Sequence, residues 1–130
     1  MQPNPTPYII WGSMGTAQAM FLFIATQIPE TAHETWAKYL VIPAIGAAAL
    51  SVAMGVVPAI APAPPPTRSI VRWAVAETAA ILGFLAYMQS GEHLYQTGCA
   101  AFGFLAWAYA FPIDAASWPR PGDASGPPSG

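Results

Sequence analysis

Four long stretches of the chain are almost entirely apolar, and short polar or proline-rich segments separate them. Each stretch has about 20 residues, the length that an α-helix needs to cross the hydrocarbon core of a bilayer. Apolar residues occupy all sides of each stretch rather than alternate positions, which favours helices over barrel strands. The sequence therefore predicts an all-α integral membrane protein with four transmembrane helices, arranged as two antiparallel hairpins joined by a proline-rich loop: Tyr8–Ile28, Trp36–Val57, Ile70–Ser90 and His93–Phe111.

The joins before the second and third helices carry recognisable signals. Thr31 and Glu34 have the spacing of a capping box ahead of the second helix. Pro43 lies inside that helix and should kink it near its first third. Residues 58–66 contain five prolines and predict a stiff, extended spacer, after which Thr67 is the expected N-cap of the third helix.

Further signals mark the fourth helix and the tails. Ser90 and Gly91 predict a tight turn, and Glu92 falls in the first turn of the fourth helix, where a carboxylate suits the helix dipole. We expect the tails, residues 1–7 and 113–130, to lie along partner subunits without regular secondary structure, because both contain proline. No basic residue precedes the first apolar run, so we expect no cleavable signal peptide.

Composition supports the membrane interpretation. Charged residues make up 8% of the chain and hydrophobic residues 55%, whereas about 25% of a soluble domain is charged. Four Lys and Arg residues and a net charge of −2 argue against a nucleic-acid surface. There is no phosphate-binding glycine loop, no Ser-His-Asp arrangement and no pair of cysteines, so we infer no soluble small-molecule substrate. We interpret Cys99 as a buried, inert thiol.

The few basic residues predict the orientation. Arg68 and Arg72 flank the proline-rich loop, and loops rich in Lys and Arg face the cytoplasm. Four spans then place both termini in the cytoplasm as well, with Arg120 on that side and Lys38 on the other. The sequence predicts a multi-pass protein of the bacterial cytoplasmic membrane.

Small residues recur at helical spacing in each predicted helix. Such ridges allow helix backbones to approach closely in lipid, and we expect them at ordinary helix–helix contacts. They are Gly12 and Gly15, then Ala47, Ser51 and Gly55, then Ala76, Ala79 and Gly83, and finally Cys99 and Gly103.

Glu77 is the acid in the apolar interior of the third predicted helix. A carboxylate at membrane depth is costly and indicates a functional site with a partner. Counting residues from the predicted helix ends places Thr16 and Ser51 at a depth similar to that of Glu77, about 10 Å. We therefore expect one polar layer in which Glu77 is mainly protonated. Three roles for Glu77 remain open: a structural hydrogen bond to a neighbouring helix, contact with another subunit, and proton or ion transfer.

The segment Ala74–Leu85 resembles the carboxylate helix of rotary ATPase proteolipids, in which a glutamate lies among alanines before an aliphatic run. The resemblance covers twelve of the 130 residues. It implies an ion-binding carboxylate at Glu77. We do not assign the chain to that family, because the acid lies on the third helix rather than the last.

A second group of polar residues falls in the two loops predicted on the opposite side of the membrane. Histidine and glutamate are ligands for a metal, and two histidines can ligate haem. Structural or solvent contacts are the leading interpretation, and metal, haem or quinone contact is the alternative. The group contains Glu30, His33, Glu34, Glu92 and His93.

Aromatic residues cluster near the predicted membrane interfaces, where Trp and Tyr usually form a belt. A pigment or quinone pocket formed by Phe104, Trp107 and Tyr109 is an alternative. No cofactor is predicted outright. The interfacial aromatics of interest are Trp11, Trp36, Trp73, Trp107 and Tyr109.

These features lead to three functional hypotheses. The first is a small, non-catalytic accessory subunit of a larger, energy-transducing membrane complex, with the lipid bilayer and other membrane subunits as partners. The second is a proton- or ion-conducting oligomer that uses Glu77. The third is a redox accessory that holds haem or quinone through His33 and His93.

Overall fold

The computed structural model describes residues 4–29, 33–60, 62–120 and 122–123. Four α-helices account for most of these residues, and no strand occurs among them, which confirms the all-helical prediction. The helices are α1 (Thr6–Gln27), α2 (Val41–Val56), α3 (Pro65–Ser90) and α4 (His93–Tyr109). Short 3-10 helices cover Thr35–Leu40, Pro58–Ile60 and Ala115–Ser117.

Three helical stretches in the described part of the chain are long and apolar enough to cross a membrane. They are Thr6–Gln27, Thr35–Val56 and Pro65–Ser90. The fourth helix, α4, has 17 residues and is therefore only about 25 Å long, slightly less than the hydrocarbon thickness. The structure thus supports a multi-pass membrane protein with three spans of sufficient length, one fewer than the sequence predicts.

The bundle is built around α3, which packs on each of the other three helices. Its most extensive interface is with α4 and the next is with α2. The helices α1 and α2 follow each other in sequence but have no extensive interface, because α3 and α4 lie between them. The predicted first hairpin is therefore not a packed pair, and α1 and α2 occupy opposite corners of the bundle.

Side-chain contacts show that the helices alternate in direction. Gly83 of α3 lies over Cys99 of α4, and Trp73 donates to the carbonyl of Ala110, so these two helices are antiparallel. We call the end that contains Trp73 and Ala110 the tail end, since the C-terminal segment packs there. The opposite end, where Tyr87 donates to the carbonyl of Ile28, is the loop end.

The third helix begins five residues earlier than predicted. Pro65 and Pro66 occupy its first turn, so Thr67 is inside the helix and not its N-cap. Proline suits these positions because its fixed φ is helical and its missing N–H would have no intrahelical acceptor. The expectation of an extended spacer over the whole of residues 58–66 is wrong for that reason.

The second predicted helix also differs at its start. It begins as a 3-10 helix over Thr35–Leu40 and changes to α-helix at Val41, two residues before Pro43. Pro43 thus lies just after the change from 3-10 helix to α-helix, in the first α-helical turn rather than one third of the way along a continuous α-helix. Glu34 is the residue before the 3-10 helix and makes no side-chain capping bond, while Thr31 lies outside the described residues.

The turn between α3 and α4 agrees with the sequence. Gly91 ends α3 in the left-handed conformation, with φ of 71°, which glycine adopts without strain. Glu92 caps α4, because its carboxylate accepts a hydrogen bond from the N–H of Leu94 at 3.3 Å. The predicted tight turn is confirmed, and Glu92 lies one position before the first turn predicted for it, as the N-cap of α4.

Alanine and glycine make the interior of the bundle closely packed. Ala48, Ala76, Ala79 and Ala106 form one buried cluster between α2, α3 and α4. At Gly103, a Cβ atom would lie 2.9 Å from the backbone oxygen of Ala76, so only glycine fits without displacing α3. The predicted ridge glycines Gly15, Gly55, Gly83 and Gly103 therefore lie at helix contacts, whereas a Cβ at Gly12 would meet no atom within 4 Å.

The tail after α4 folds back on its own bundle. Trp118 stacks on Trp73, with ring centroids 5.7 Å apart, and Ala115 is buried. Asn4 donates its side-chain N–H to the carbonyl of Pro119 at 3.2 Å. The expectation that the tails have no regular secondary structure is therefore wrong for Ala115–Ser117 and also for Thr6 and Pro7, which begin α1. Residues 1–3 and 124–130 lie outside the described part.

Candidate functional site

Glu77 lies at the centre of α3, twelve residues after Pro65 and thirteen before Ser90. This places it about 18 Å from the helix start, deeper than the 10 Å predicted, because the helix begins earlier. The side chain is half-buried, and among the described residues it has no hydrogen-bond or ion-pair partner. Within the described part of the chain, this carboxyl group is therefore unsatisfied.

The face of α3 that carries Glu77 is the face toward α1. Trp73 and Phe84 are four residues before and seven residues after Glu77, which puts all three on one side of the helix. Phe84 contacts Phe21 of α1, with ring centroids 5.4 Å apart, and Trp73 packs near Met14 of the same helix. Glu77 thus lies along the α1–α3 contact while part of it remains accessible from outside the bundle.

The structure does not bring Thr16, Ser51 and Glu77 into one hydrogen-bonded layer. Thr16 is exposed, and its hydroxyl donates to the carbonyl of Gly12 in its own helix at 2.9 Å. Ser51 is buried against a different part of α3, where its hydroxyl donates to the carbonyl of Arg72 at 2.8 Å. The three residues were predicted at equal depth in the membrane, but they do not face the same side of the bundle.

Ser51 and Arg72 instead form a reciprocal link between α2 and α3. Arg72 returns a hydrogen bond from its Nε–H to the carbonyl of Ser51 at 3.1 Å. Its guanidinium extends over Gly55, one turn nearer the tail end, where the absence of a Cβ leaves room for it. The ring of Tyr109 lies 5.9 Å from the guanidinium carbon, a cation–π distance.

This guanidinium lines a cavity of about 470 Å³ at the tail end of the bundle. Arg68 lines the same cavity from one turn earlier in α3, and Asp114 lines it from the segment after α4. Arg72 makes no ion pair with Asp114 in the described structure, and its terminal amino groups donate no hydrogen bond there. The cavity therefore presents the terminal amino groups of Arg72 at the place where α2, α3 and α4 meet, beside the guanidinium of Arg68, which donates to the carbonyl of Ala63 at 3.1 Å.

The polar residues of the loop end are only partly brought together. His33, Glu34 and Glu92 line one depression of about 260 Å³, whereas His93 stacks on Tyr87 with ring centroids 4.6 Å apart. Glu30 lies outside the described residues. Among the residues that are described, no three His, Cys, Asp or Glu side chains are close enough to hold a metal ion.

The predicted interfacial aromatics divide into two groups. Trp36 and Tyr109 are exposed, with 48% and 59% of their surface accessible, as a membrane belt requires. Trp11 and Trp107 instead stack at 4.0 Å, and each indole N–H donates to the other residue's carbonyl, which joins α1 to α4. Trp73 is fully buried and donates to the carbonyl of Ala110 at 2.7 Å.

Two glutamines are buried that the sequence analysis did not single out. Gln96 donates from its amide to the carbonyl of Phe21 at 2.9 Å, which joins α4 to α1. Gln18 is fully buried next to Gly103, and neither its Oε1 nor its Nε2 has a hydrogen-bond partner in the described structure. The sequence does contain a signal for both residues, because each is a side-chain amide within an apolar run. Burying such a group costs free energy unless it finds a hydrogen-bond partner.

The fold and these contacts define an all-helical bundle of the multi-pass membrane class, held together by small residues and by side chains that donate to backbone carbonyls. Comparisons with protein-family models, with curated proteins and with solved structures give no match to the chain.

Proposed function

We propose that the chain is a small, non-catalytic accessory subunit of a larger membrane complex, and that this complex is energy-transducing. The observation that carries the proposal is the half-buried, unpartnered Glu77 at the centre of α3. A carboxyl group in the apolar part of a bilayer needs a hydrogen-bond partner. The chain supplies none in its described residues, so a neighbouring subunit against the α1–α3 face would supply it.

The same observation supports one alternative, an oligomer that conducts protons or ions through Glu77. Several copies would have to surround a pathway, because the partly exposed carboxyl faces outward from a single bundle. The haem or quinone hypothesis draws no support from the geometry. His33 lines the depression at the loop end, whereas His93 stacks on the ring of Tyr87.

Identification of the neighbours tests the accessory role directly. The tagged chain is purified from its native membrane in mild detergent, and the proteins that remain bound are identified and counted. We expect unlike membrane subunits to co-purify with one copy of the chain. A ring of identical copies would support conduction instead, and a chain that purifies alone would contradict both.

For the orientation, we propose that the tail end of the bundle faces the bacterial cytoplasm. Arg68 and Arg72 lie at that end, and so does Arg120 by its attachment to Pro119 beside Asn4, whereas Lys38 lies at the loop end. The excess of basic residues at one end follows the positive-inside pattern. On this proposal both termini and the proline-rich loop face the inside of the cell.

Accessibility of an introduced cysteine tests this orientation. A cysteine replacing Ala63 in the proline-rich loop should react with a membrane-impermeant maleimide only after the membrane is opened. Cys99 is buried and gives little background. Strong labelling of intact cells or spheroplasts at residue 63 would reverse the assignment.

A further inference from the structure

An apolar groove runs along the outside of the bundle between α2 and α4. Its main part has a volume of about 440 Å³ and is lined by Ile45, Ala49 and Val52 from α2 and by Phe102, Leu105 and Tyr109 from α4. A smaller cavity of about 270 Å³ continues it toward the loop end, because it shares Ile45 and Phe102 with the main part. From Leu94 to Tyr109 the groove extends about 22 Å along α4.

At the tail end the groove meets the cationic cavity that contains Arg68 and Arg72. Tyr109 lines both cavities, so they adjoin at its side chain. The lining of the site changes at Tyr109. Apolar side chains line the groove on its loop-end side, and the guanidinium groups of Arg68 and Arg72 line the cavity on its tail-end side. A long apolar site that ends in cations is the complement of an anionic amphiphile.

The position of Arg72 favours a phosphate near the membrane interface. Its Cα is level with Ser51, but its guanidinium reaches one turn toward the tail end, to Gly55. Arginine side chains in membrane helices extend in this way to bring their charge to the headgroup region. Only the Nε–H is used by Ser51, which leaves the planar pair of terminal amino groups to donate to phosphate oxygens.

From these observations we propose that the α2–α4 groove is a binding site for one anionic phospholipid. An acyl chain lies along the apolar groove, and the phosphate lies at Arg68 and Arg72. Asp114 reduces the positive charge of the cavity to a net value of one, which matches a single phosphodiester. The site does not depend on the accessory role, but it does depend on insertion of the bundle in a membrane.

Lipid retention by the purified full-length chain tests the site. The protein is delipidated in detergent, and bound lipid is measured by native mass spectrometry with phosphatidylglycerol and phosphatidylcholine of identical chains. We expect phosphatidylglycerol to be retained about fivefold or more over phosphatidylcholine, since each cation near an anionic headgroup contributes about that factor. Equal retention of the two lipids would overturn the proposal.

Variants separate the headgroup contact from the chain contact. The double variant R68Q/R72Q should abolish the preference for phosphatidylglycerol, R72K should keep it, and D114N should increase it. The matched control K38Q, which removes the cation at the loop end, should change nothing. Should the double variant fail to fold, the comparison of D114N with K38Q still decides, because a D114N variant without increased preference would contradict the site.

A bulky substitution tests the groove itself. Ala49→Phe fills the apolar part and should lower retention of both lipids, whereas Ala74→Phe, on an exposed position of α3, should not. Inorganic phosphate at millimolar concentration should neither displace the lipid nor stabilise the protein. Full displacement by phosphate alone would make the cavity a free-anion site and would overturn the assignment to phospholipid.

Discussion

Replacing Gly103 by alanine should destabilise the bundle by roughly 1–3 kcal/mol, the cost of overpacking a well-filled interior. The added Cβ would lie 2.9 Å from the backbone oxygen of Ala76 and 3.0 Å from Oε1 of Gln18. A backbone oxygen cannot rotate away, so α4 would have to move from α3 along their most extensive interface. The apparent melting temperature of the purified protein in detergent should fall by about 5 °C or more.

The same helix offers a matched control for this prediction. A Cβ at Gly98 would meet no atom within 4 Å, so Gly98→Ala makes the same chemical change without the clash. Alanine is favoured over glycine inside a helix by about 1 kcal/mol, and this variant should be as stable as the wild type or more so. Equal melting temperatures for the two variants would show that α3 and α4 do not approach as closely as described.

The existence of the helices could be predicted from the sequence, but their ends and neighbours could not. An apolar run of membrane-spanning length carries its own signal, whereas Pro65 and Pro66 are compatible with both an extended spacer and a first helical turn. The extended-spacer interpretation placed the start of α3 five residues too late, and it therefore placed Glu77 about 8 Å too close to the helix start. The separation of α1 from α2 depends on packing choices that chain order does not determine.

The polar contacts show a similar division. Ser51 was recognised as an intramembrane polar residue, yet its partner is Arg72 and not Glu77 or Thr16, because depth alone does not determine which side of a helix faces a neighbour. The tryptophans near the tail end were expected to face the interface. Trp11 and Trp73 instead satisfy their indole N–H groups on the carbonyls of Trp107 and Ala110, which spacing along the chain cannot reveal.

Substitutions at Glu77 should have the largest effect on function. If Glu77 contacts a neighbouring subunit, Glu77→Leu removes the carboxyl and should weaken retention of that subunit roughly 5- to 30-fold, since a hydrogen bond between membrane helices contributes about 1–2 kcal/mol. Glu77→Gln preserves shape and donor capacity and should assemble nearly normally. Retention is measured as the amount of partner that co-purifies with the tagged chain.

The neighbouring position provides a control, because Thr78 is exposed and its hydroxyl donates to Ala74 in its own helix at 2.9 Å. Thr78→Leu should therefore retain the partner as the wild type does.

The activity of the host complex then separates the two main hypotheses, the accessory role and conduction. A carboxyl that carries protons or ions cannot be replaced by an amide, so a Glu77→Gln variant that assembles fully but supports no activity would replace the accessory role with conduction. Normal activity of that variant, together with poor assembly of Glu77→Leu, is the result that the accessory role requires.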